Sequence, residues 1–299
     1  MMSLAQSNLR ILPTIFLTCC IPSGLAAERH PAFGVVLQVD RAHHAIQVSS
    51  REIPGYMEAM VMDLPVRDAR ELDGLQSGTL IDFTLVEEKD SAYAAGIRIH
   101  QFQSTDAEPM AVRQLNLVEG LVGSGSDATK KLEIGQRVPE FSLIDQSAQS
   151  VSLSSFAGKV IGITFLYTHC PLPNYCFRLS NNFGMIRKRF AGQMGRDLIL
   201  LNITFDPVHD QPEVLAQYAR NGGAADVPGW YFLTGPILEV QKVCHEFGMN
   251  FWQDEGLITH ALHTVILDRQ GKIIANLEGN EFTAQQLGDL VDSVLRGPK

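Results

Sequence analysis

Residues 160–176 read VIGITFLYTHCPLPNYC, and this stretch decides the fold of the second half of the chain. Its first seven residues are nearly all apolar and rich in β-branched side chains, which predicts a strand buried on both faces of a sheet. Cys170 and Cys176 follow where the strand ends and a helical pattern begins. A helix start offers free N–H donors and partial positive charge, and both stabilise a thiolate. The two thiols are therefore expected to exchange disulfides, to bind a soft metal or to form an inert disulfide, and the spacing alone does not choose among these.

Two regions of different pattern flank residues 119–131, a Gly- and Ser-rich segment without periodicity that predicts a flexible linker. Before it, from about Phe33 to Val118, short strand patterns alternate with turn signals and predict a small all-β barrel or sandwich. After it, apolar runs alternate with helical patterns, which predict an α/β domain with helices on both faces of a sheet. We therefore expect two domains, residues 30–118 and 132–299, in this chain of 299 residues.

The first 27 residues have the layout of a secretory signal, with Arg10 ahead of an apolar run at residues 11–22 and small residues as far as Ala27. The run is about a dozen residues long, which is short of the roughly 20 that a membrane-spanning helix needs. We expect an exported, periplasmic protein whose signal is cleaved after Ala26 or Ala27. An uncleaved N-terminal anchor is the less favoured alternative.

Cleavage would remove Cys19 and Cys20, unless one of them carries a lipid, and would leave Cys170, Cys176 and Cys244. An exported protein that uses cysteine only for structural disulfides tends to carry an even number. One close pair and one distant cysteine therefore suggest a working dithiol. Cys244 lies in a helical pattern and is expected to be a small buried apolar side chain.

The composition excludes several classes of protein. Hydrophobic residues make up 45% of the chain and charged residues 19%, which is ordinary globular usage rather than that of a disordered or collagen-like chain. Lys and Arg number 24 against 33 Asp and Glu, so the formal net charge is −9. A nucleic-acid-binding protein needs the opposite balance, and we expect no such partner.

Several further motifs surround the cysteines: PEFSL at residues 139–143, AGK at 157–159, NITFDPVHDQPEVLAQY at 202–218 and WYFLTG at 230–235. With the cysteine segment, they resemble the Sco/SenC family of thioredoxin-fold copper proteins over about residues 134–295. The resemblance implies a thioredoxin-like fold and one copper ion bound by two cysteines and a distant histidine. It also implies a role in supplying copper to cytochrome oxidase or in reducing thiols there.

Carried over position by position, the resemblance makes Cys170 and Cys176 the cysteine ligands and places Asp206 near the site. The family usually has three residues between its cysteines, whereas this chain has five, so the loop geometry and the copper affinity need not be the same. The family spacing, counted back from Asp268, implies His260 as the third ligand rather than His263. Side chains three positions apart on one strand face opposite ways, so both imidazoles are not expected to reach one ion.

Two thiolates and an imidazole form a soft ligand set that suits Cu(I), with Cu(II) as an alternative. A structural zinc site normally has four protein ligands, and the sequence offers no second close Cys or His pair to complete one. An ordinary thioredoxin would carry Cys-x-x-Cys and a proline just before the strand at Leu262, and this chain has neither. His169, His209 and His245 are expected to be solvated or to have local partners.

A methionine cluster lies in the first domain, in IPGYMEAMVMDLPV at residues 53–66. Met60 and Met62 share one face of a predicted strand, and Met57 can fold over from the loop before it. Thioethers are soft neutral ligands that suit Cu(I), although methionine also fills gaps in small cores.

The stretch from about Gly34 to His100 resembles the CusF-type periplasmic copper-binding domain, a small OB-like β-barrel that uses methionines and a histidine. The resemblance implies Met57, Met60 and Met62 as copper ligands, but the family's histidine position falls on Ser49. His43 and His44 are the alternatives if their turn folds inward. Without them we expect weaker binding than in a complete site.

The leading hypothesis is a periplasmic copper chaperone that delivers copper for cytochrome c oxidase assembly, with an oxidase subunit or another copper-accepting protein as partner. The alternative is an enzyme, a thiol–disulfide oxidoreductase in which Cys170 attacks and Cys176 resolves. Peroxide reduction is disfavoured because the sequence before Cys170 lacks Pro-x-x-x-Thr-x-x-Cys.

Overall fold

The computed structural model describes residues 27–89, 91–102, 131–254 and 257–297. Apart from Ala27 and Lys131, the predicted signal and linker lie outside these residues, as do Cys19 and Cys20. No helix within the described ranges is both long and apolar enough to cross a bilayer.

Five antiparallel strands form the first sheet, in the order β3-β2-β1-β4-β5. Ile46 and Val48 of the second strand are buried in the core of this sheet, whereas Gln47 between them donates to Asp63 on the other face. This alternation of period two is the pattern that the sequence predicted. The strands are β1 (Glu28–Asp40), β2 (Ala45–Ser50), β3 (Met60–Pro65), β4 (Leu80–Glu88) and β5 (Ser91–Ile99).

Strand pairing leaves this sheet open, so the predicted OB-like barrel is not closed. Among the described residues, the two edge strands meet at one bridge, between Val66, just after β3, and Ala94 on β5. Strand β3 is only six residues long and ends at Pro65, which has no N–H to donate to a longer ladder. The β-rich character of the first domain is confirmed.

The second domain is built on a seven-stranded sheet in the order β14-β13-β8-β9-β10-β6-β7, with β8, β9 and β10 parallel. Strands β11 and β12 form a separate hairpin. In chain order the elements are β6 (Ser142–Asp145), β7 (Ser150–Ser152), β8 (Val160–Leu166), α1 (Arg178–Arg189), β9 (Leu198–Thr204), α2 (Pro212–Asn221), β10 (Trp230–Thr234), α3 (Ile237–Glu246), β11 (Phe251–Asp254), β12 (Leu257–His260), β13 (His263–Leu267), β14 (Ile273–Glu278) and α4 (Ala284–Arg296).

Helices cover both faces of this sheet, as the alternating pattern predicted. Phe183 of α1 packs over Gly162 of β8, where an added Cβ atom would lie 3.3 Å from the ring. Phe165, three residues further along the strand, points to the other face and contacts Phe247 at the end of α3, with 6.0 Å between ring centroids. Every residue of β8 is buried, which explains its almost entirely apolar sequence.

The two domains pack against each other, which the sequence did not indicate. Val35, Leu37 and Leu80 of the first sheet are buried in the core of the second domain. Helix α4 adds polar contacts, since Gln286 donates to the carbonyl oxygen of Ser49 at 2.9 Å and the Ser49 hydroxyl donates to Asp289 at 2.7 Å.

A histidine also bridges the domains. His100 lies between two carboxylates, with Nδ1 2.7 Å from Asp82 of its own domain and Nε2 2.6 Å from Glu281 of the other. Burial lowers the pKa of His100, but the hydrogen bonds and charges of Asp82 and Glu281 outweigh it, so the pKa is raised. The protonated ring donates to both carboxylates at once.

This bridge predicts a pH-dependent contribution to stability. Because the folded pKa lies above the unfolded value of about 6.5, the contribution is complete below that pH and is lost as the pH rises through the raised pKa. Replacing His100 by Gln should remove up to about 1 kcal/mol of the stability difference between pH 6 and pH 9, measured by urea unfolding, since both carboxylates are partly exposed. His245→Gln, on an exposed position of α3, is the matched control. An unchanged pH dependence in His100→Gln would contradict the bridge.

Candidate metal centre

The two cysteines lie between β8 and α1, as predicted. Strand β8 ends at Leu166, the chain crosses a loop that contains Cys170, and one irregular helical turn at Pro173–Phe177 leads into α1. Cys176 lies in that turn and is 1% exposed, whereas Cys170 is half-buried. Both are free thiols.

His260 completes the cluster from the β11–β12 hairpin. It ends β12, and its Nε2 lies 3.7 Å from the Cys176 sulfur. Its Nδ1 lies 2.7 Å from the carbonyl oxygen of Ala261, which can only accept, so Nδ1 carries a proton and Nε2 is the ring nitrogen that faces the sulfurs. The two sulfurs and one ring nitrogen of His260 all lie within 4.8 Å of one another. The structure thus brings together the three residues that the family resemblance implied.

Aromatic rings surround the imidazole of His260. Phe205, at the end of β9, lies 4.7 Å from it between ring centroids, and Tyr167 lies 5.8 Å away with its plane nearly perpendicular. Burial and the two neighbouring sulfurs raise the pKa of Tyr167 to about 12, so it remains a neutral phenol. These aromatic side chains hold the imidazole in place and exclude water from one side of the cluster.

The two thiols share one proton unequally. A hydrogen bond from Cys176, aided by His260 and opposed by burial, lowers the pKa of Cys170 to about 4. The same hydrogen bond, together with burial, raises the pKa of Cys176 well above its usual value. Cys170 is therefore the accessible thiolate, and a thiolate is the form that attacks disulfides and binds metals.

The competing histidine is placed elsewhere. His263 lies on β13, is 3% exposed, and its Nδ1 is 2.8 Å from Asn276 Oδ1. Burial lowers its pKa, so it is neutral. His260 and His263 belong to different strands rather than to one, because the chain leaves the β11–β12 hairpin at Ala261.

Asp206 follows Phe205 but is not among the described residues whose ligand atoms form the cluster. Its carboxylate accepts from His209 Nδ1, which lies 2.9 and 3.0 Å from its two oxygens.

The fold brings the three methionines of the predicted cluster only partly together. Pairing with Ser50 and Val48 puts Met60 and Met62 on the core side of β3, and Met57 forms an isolated bridge with Ile53. Met57 and Met62 pack against the small core, whereas Met60 is 49% exposed.

Two of the three positions that the sequence offered for a histidine ligand, Ser49 and His43, are engaged elsewhere. Ser49, between Val48 and Ser50, points to the other face of the sheet, where it donates to Asp289. His43 Nδ1 lies 2.7 Å from Asp40 in the exposed turn before β2, which is the solvated arrangement.

A family model for SCO1/SenC matches residues 129–295, more than half of the chain and the whole of the region that holds the three clustered residues. The chain belongs to the SCO1/SenC family. A second model, for the copper binding periplasmic protein CusF, matches residues 29–98, which include the methionines of the first sheet.

Curated relatives of the SCO1/SenC domain include Protein sco1 of Schizosaccharomyces pombe, 27% identical over 163 residues, which cover 51% of this chain and 59% of that protein. The SCO2-like protein RT0576 of Rickettsia typhi is 28% identical over 163 residues, covering 52% and 74%. Among solved structures, Arabidopsis thaliana ScoI with copper bound is 22% identical, with a TM-score of 0.45, over 55% of this chain and 100% of that chain.

Sequence reasoning assigned no role to Asp210, which anchors the loop before Cys170 in this SCO1/SenC domain. Asp210 is fully buried, and its carboxylate accepts from the backbone N–H of Thr168 at 3.0 Å and from the hydroxyls of Thr168 and Thr204. The loop that carries Cys170 is therefore held to the end of β9. Residues 206–210 form an Asp-Pro-x-x-Asp motif, and its second Asp was the sequence signal that could have pointed to this role.

The unequal sharing of the proton predicts the reactivity of Cys170. Alkylation of Cys170 by iodoacetamide in the reduced protein should change little between pH 8 and pH 6, because the thiolate persists until the pH falls towards its lowered pKa. A thiol of ordinary pKa, about 8.5, would slow about tenfold per pH unit in that range. Peptide mass spectrometry measures the rate at each cysteine.

Replacing Cys176 by Ala removes the hydrogen bond, so the Cys170 rate should then fall with falling pH. Cys244→Ala is the control, because Cys244 is fully buried and burial raises its pKa. A tenfold loss of rate per pH unit in the unmodified protein would contradict the shared proton.

Proposed function

We propose that this protein is a periplasmic copper chaperone that binds Cu(I) through Cys170, Cys176 and His260 and delivers it for cytochrome c oxidase assembly. The observation that carries the proposal is the convergence of two sulfurs and an imidazole nitrogen within 4.8 Å. This soft, three-membered set suits Cu(I), which accepts low coordination with thiolate and imidazole ligands. It lacks the fourth protein ligand of a structural zinc site among the described residues.

The shape of the site supports transfer rather than storage. Cys170 is half-buried in the loop that follows the carboxyl end of β8, so an acceptor's ligands can reach an ion there one at a time. The apolar side chains of Leu172, Phe177 and Val208 are exposed on the adjoining loops and offer a surface for an acceptor. Support for cytochrome c oxidase as the destination comes from the family. BsSco, whose structure is solved, is a member of the Sco family of cytochrome c oxidase assembly proteins.

The first domain would hold a second Cu(I) ion through Met57, Met60 and Met62. The match to a family described as copper-binding and periplasmic supports both the metal and the compartment. Because Ser49 and His43 are engaged elsewhere, the thioethers would bind without an imidazole from either position, and we expect this ion to be held more weakly than the one at the thiols.

Copper stoichiometry tests both sites. The reduced full chain carrying Cys19→Ser and Cys20→Ser, titrated against the Cu(I) chelator bicinchoninate, should bind two equivalents. Cys170→Ser should remove the tighter one, and His260→Ala should weaken it at least about tenfold, or about 1.4 kcal/mol. Leu at positions 60 and 62, which keeps the volume of methionine, should remove only the weaker one. Cys244→Ala should leave both. One equivalent throughout, insensitive to Met60→Leu and Met62→Leu, would reduce the methionines to core filling.

A thiol–disulfide oxidoreductase is the second candidate, and the pairing of an accessible thiolate with a buried thiol favours it. In that reaction the Cys170 thiolate attacks a partner disulfide, and the partner's first sulfur leaves as a thiolate that takes the proton of Cys176. The Cys176 thiolate then attacks the mixed disulfide, which closes a disulfide in this chain and releases the partner's second sulfur as a thiolate.

The two candidates differ in what they need from His260. Mass spectrometry measures the reduction of an oxidised acceptor peptide. Under either candidate function, Cys170→Ser should abolish this reduction. If His260→Ala keeps at least about half of the reduction rate but loses Cu(I) binding and oxidase assembly, the chaperone proposal stands. If His260→Ala assembles oxidase normally without binding copper, the redox candidate replaces it.

A further inference from the structure

Two exposed histidines lie close together beside the thiol pair. His169 immediately precedes Cys170, and His209 lies in the loop between β9 and α2. Their ring centroids are 6.2 Å apart with planes at 70°, and their side chains are 67% and 62% exposed. Neither ring belongs to the cluster of Cys170, Cys176 and His260.

Each ring is fixed through its Nδ1. His209 Nδ1 donates to both oxygens of Asp206. His169 Nδ1 lies 3.1 Å from the Thr168 hydroxyl oxygen, whose own hydrogen is donated to Asp210, so the His169 N–H is the donor in this contact. Both Nδ1 atoms therefore carry a proton, and neither Nε2 atom has a partner in the described part of the chain.

This is the arrangement that metal-binding histidines show, in which a carboxylate or hydroxyl orients the ring through one nitrogen and raises the basicity of the other. Ions that bind imidazole lie about 2.0 Å from the nitrogen, and hence about 3.2 Å from the ring centroid, so two rings on one ion have centroids up to about 6.4 Å apart. The observed separation of 6.2 Å falls inside that limit. Because both side chains are largely exposed, each ring has room to turn its Nε2 atom towards a shared ion.

The geometry points to a surface site for a divalent cation, formed by His169 and His209 and oriented by Asp206, with Cu(II) as the ion that it binds most strongly. Two imidazoles suit Cu(II) and, more weakly, Zn(II) or Ni(II), whereas the neighbouring sulfurs suit Cu(I). The two sites share no ligand, so this inference does not rest on the proposed function. Because His169 and Cys170 are consecutive, an ion held here would lie close to the thiol pair.

The test uses Cu(II) alone, on the full chain carrying Cys19→Ser, Cys20→Ser, Cys170→Ser and Cys176→Ser. Of the five cysteines this leaves only Cys244, which is fully buried and out of reach of the ion. Circular dichroism and urea unfolding check that this chain folds; if it does not, the unmodified chain in its disulfide form replaces it. We expect one Cu(II) ion whose paramagnetic resonance spectrum shows imidazole nitrogen coupling. Adding His209→Ala or His169→Ala should weaken binding at least about tenfold and reduce the nitrogen coupling, and Asp206→Asn should weaken it about 10- to 100-fold.

Two controls locate the ion. His43→Ala removes an exposed histidine that is likewise bonded to an aspartate, and it should leave both the affinity and the spectrum unchanged. His260→Ala, in the same serine background, should also change neither. Binding that survives the loss of both His169 and His209, or that disappears with His260 or His43, would overturn the proposal.

Discussion

The buried carboxylate of Asp210 is the contact on which both candidate sites depend. It accepts hydrogen bonds from Thr168, after β8, and from Thr204, at the end of β9, and so ties the ends of two neighbouring parallel strands together. His169 and Cys170 follow Thr168 directly, and Asp206 and His209 lie in the loop that Asp210 closes. An acceptor group with no exposure leaves these loops little freedom, because releasing it would leave a buried carboxyl group without its hydrogen bonds.

Much of the fold was predictable from local patterns. The apolar run of β8 indicated a central strand, the alternation of strands and helices indicated an α/β domain, and the position of the cysteines indicated a strand-to-helix junction. These features follow from burial and periodicity, which a single sequence displays. His260 required a resemblance, because the hairpin that presents it is short and carries no strong pattern.

Long-range features were not predictable for a physical reason. The open edge of the first sheet depends on where β3 stops, and the orientation of Ser49 depends on register with a partner strand. The proton shared by Cys170 and Cys176 and the pairing of His169 with His209 arise only when separate loops meet. A composition rich in Gly and Ser at residues 119–131 suggested independent domains, whereas Val35, Leu37 and Leu80 complete the core of the second.

Helix α4 touches both halves of the molecule at once. Gln285 donates to the carbonyl of Ala59, the residue before Met60, and Asp289 accepts from Arg189 of α1, the helix that follows Cys176. Helix α4 therefore holds the strand of the methionines and the helix that follows the thiols in one rigid arrangement. The distance between the two groups is set by how the domains pack and not by the length of the linker. A copper ion passing between the two sites would have to diffuse across this distance or be carried by another molecule. Neither domain can move towards the other unless helix α4 first detaches from it.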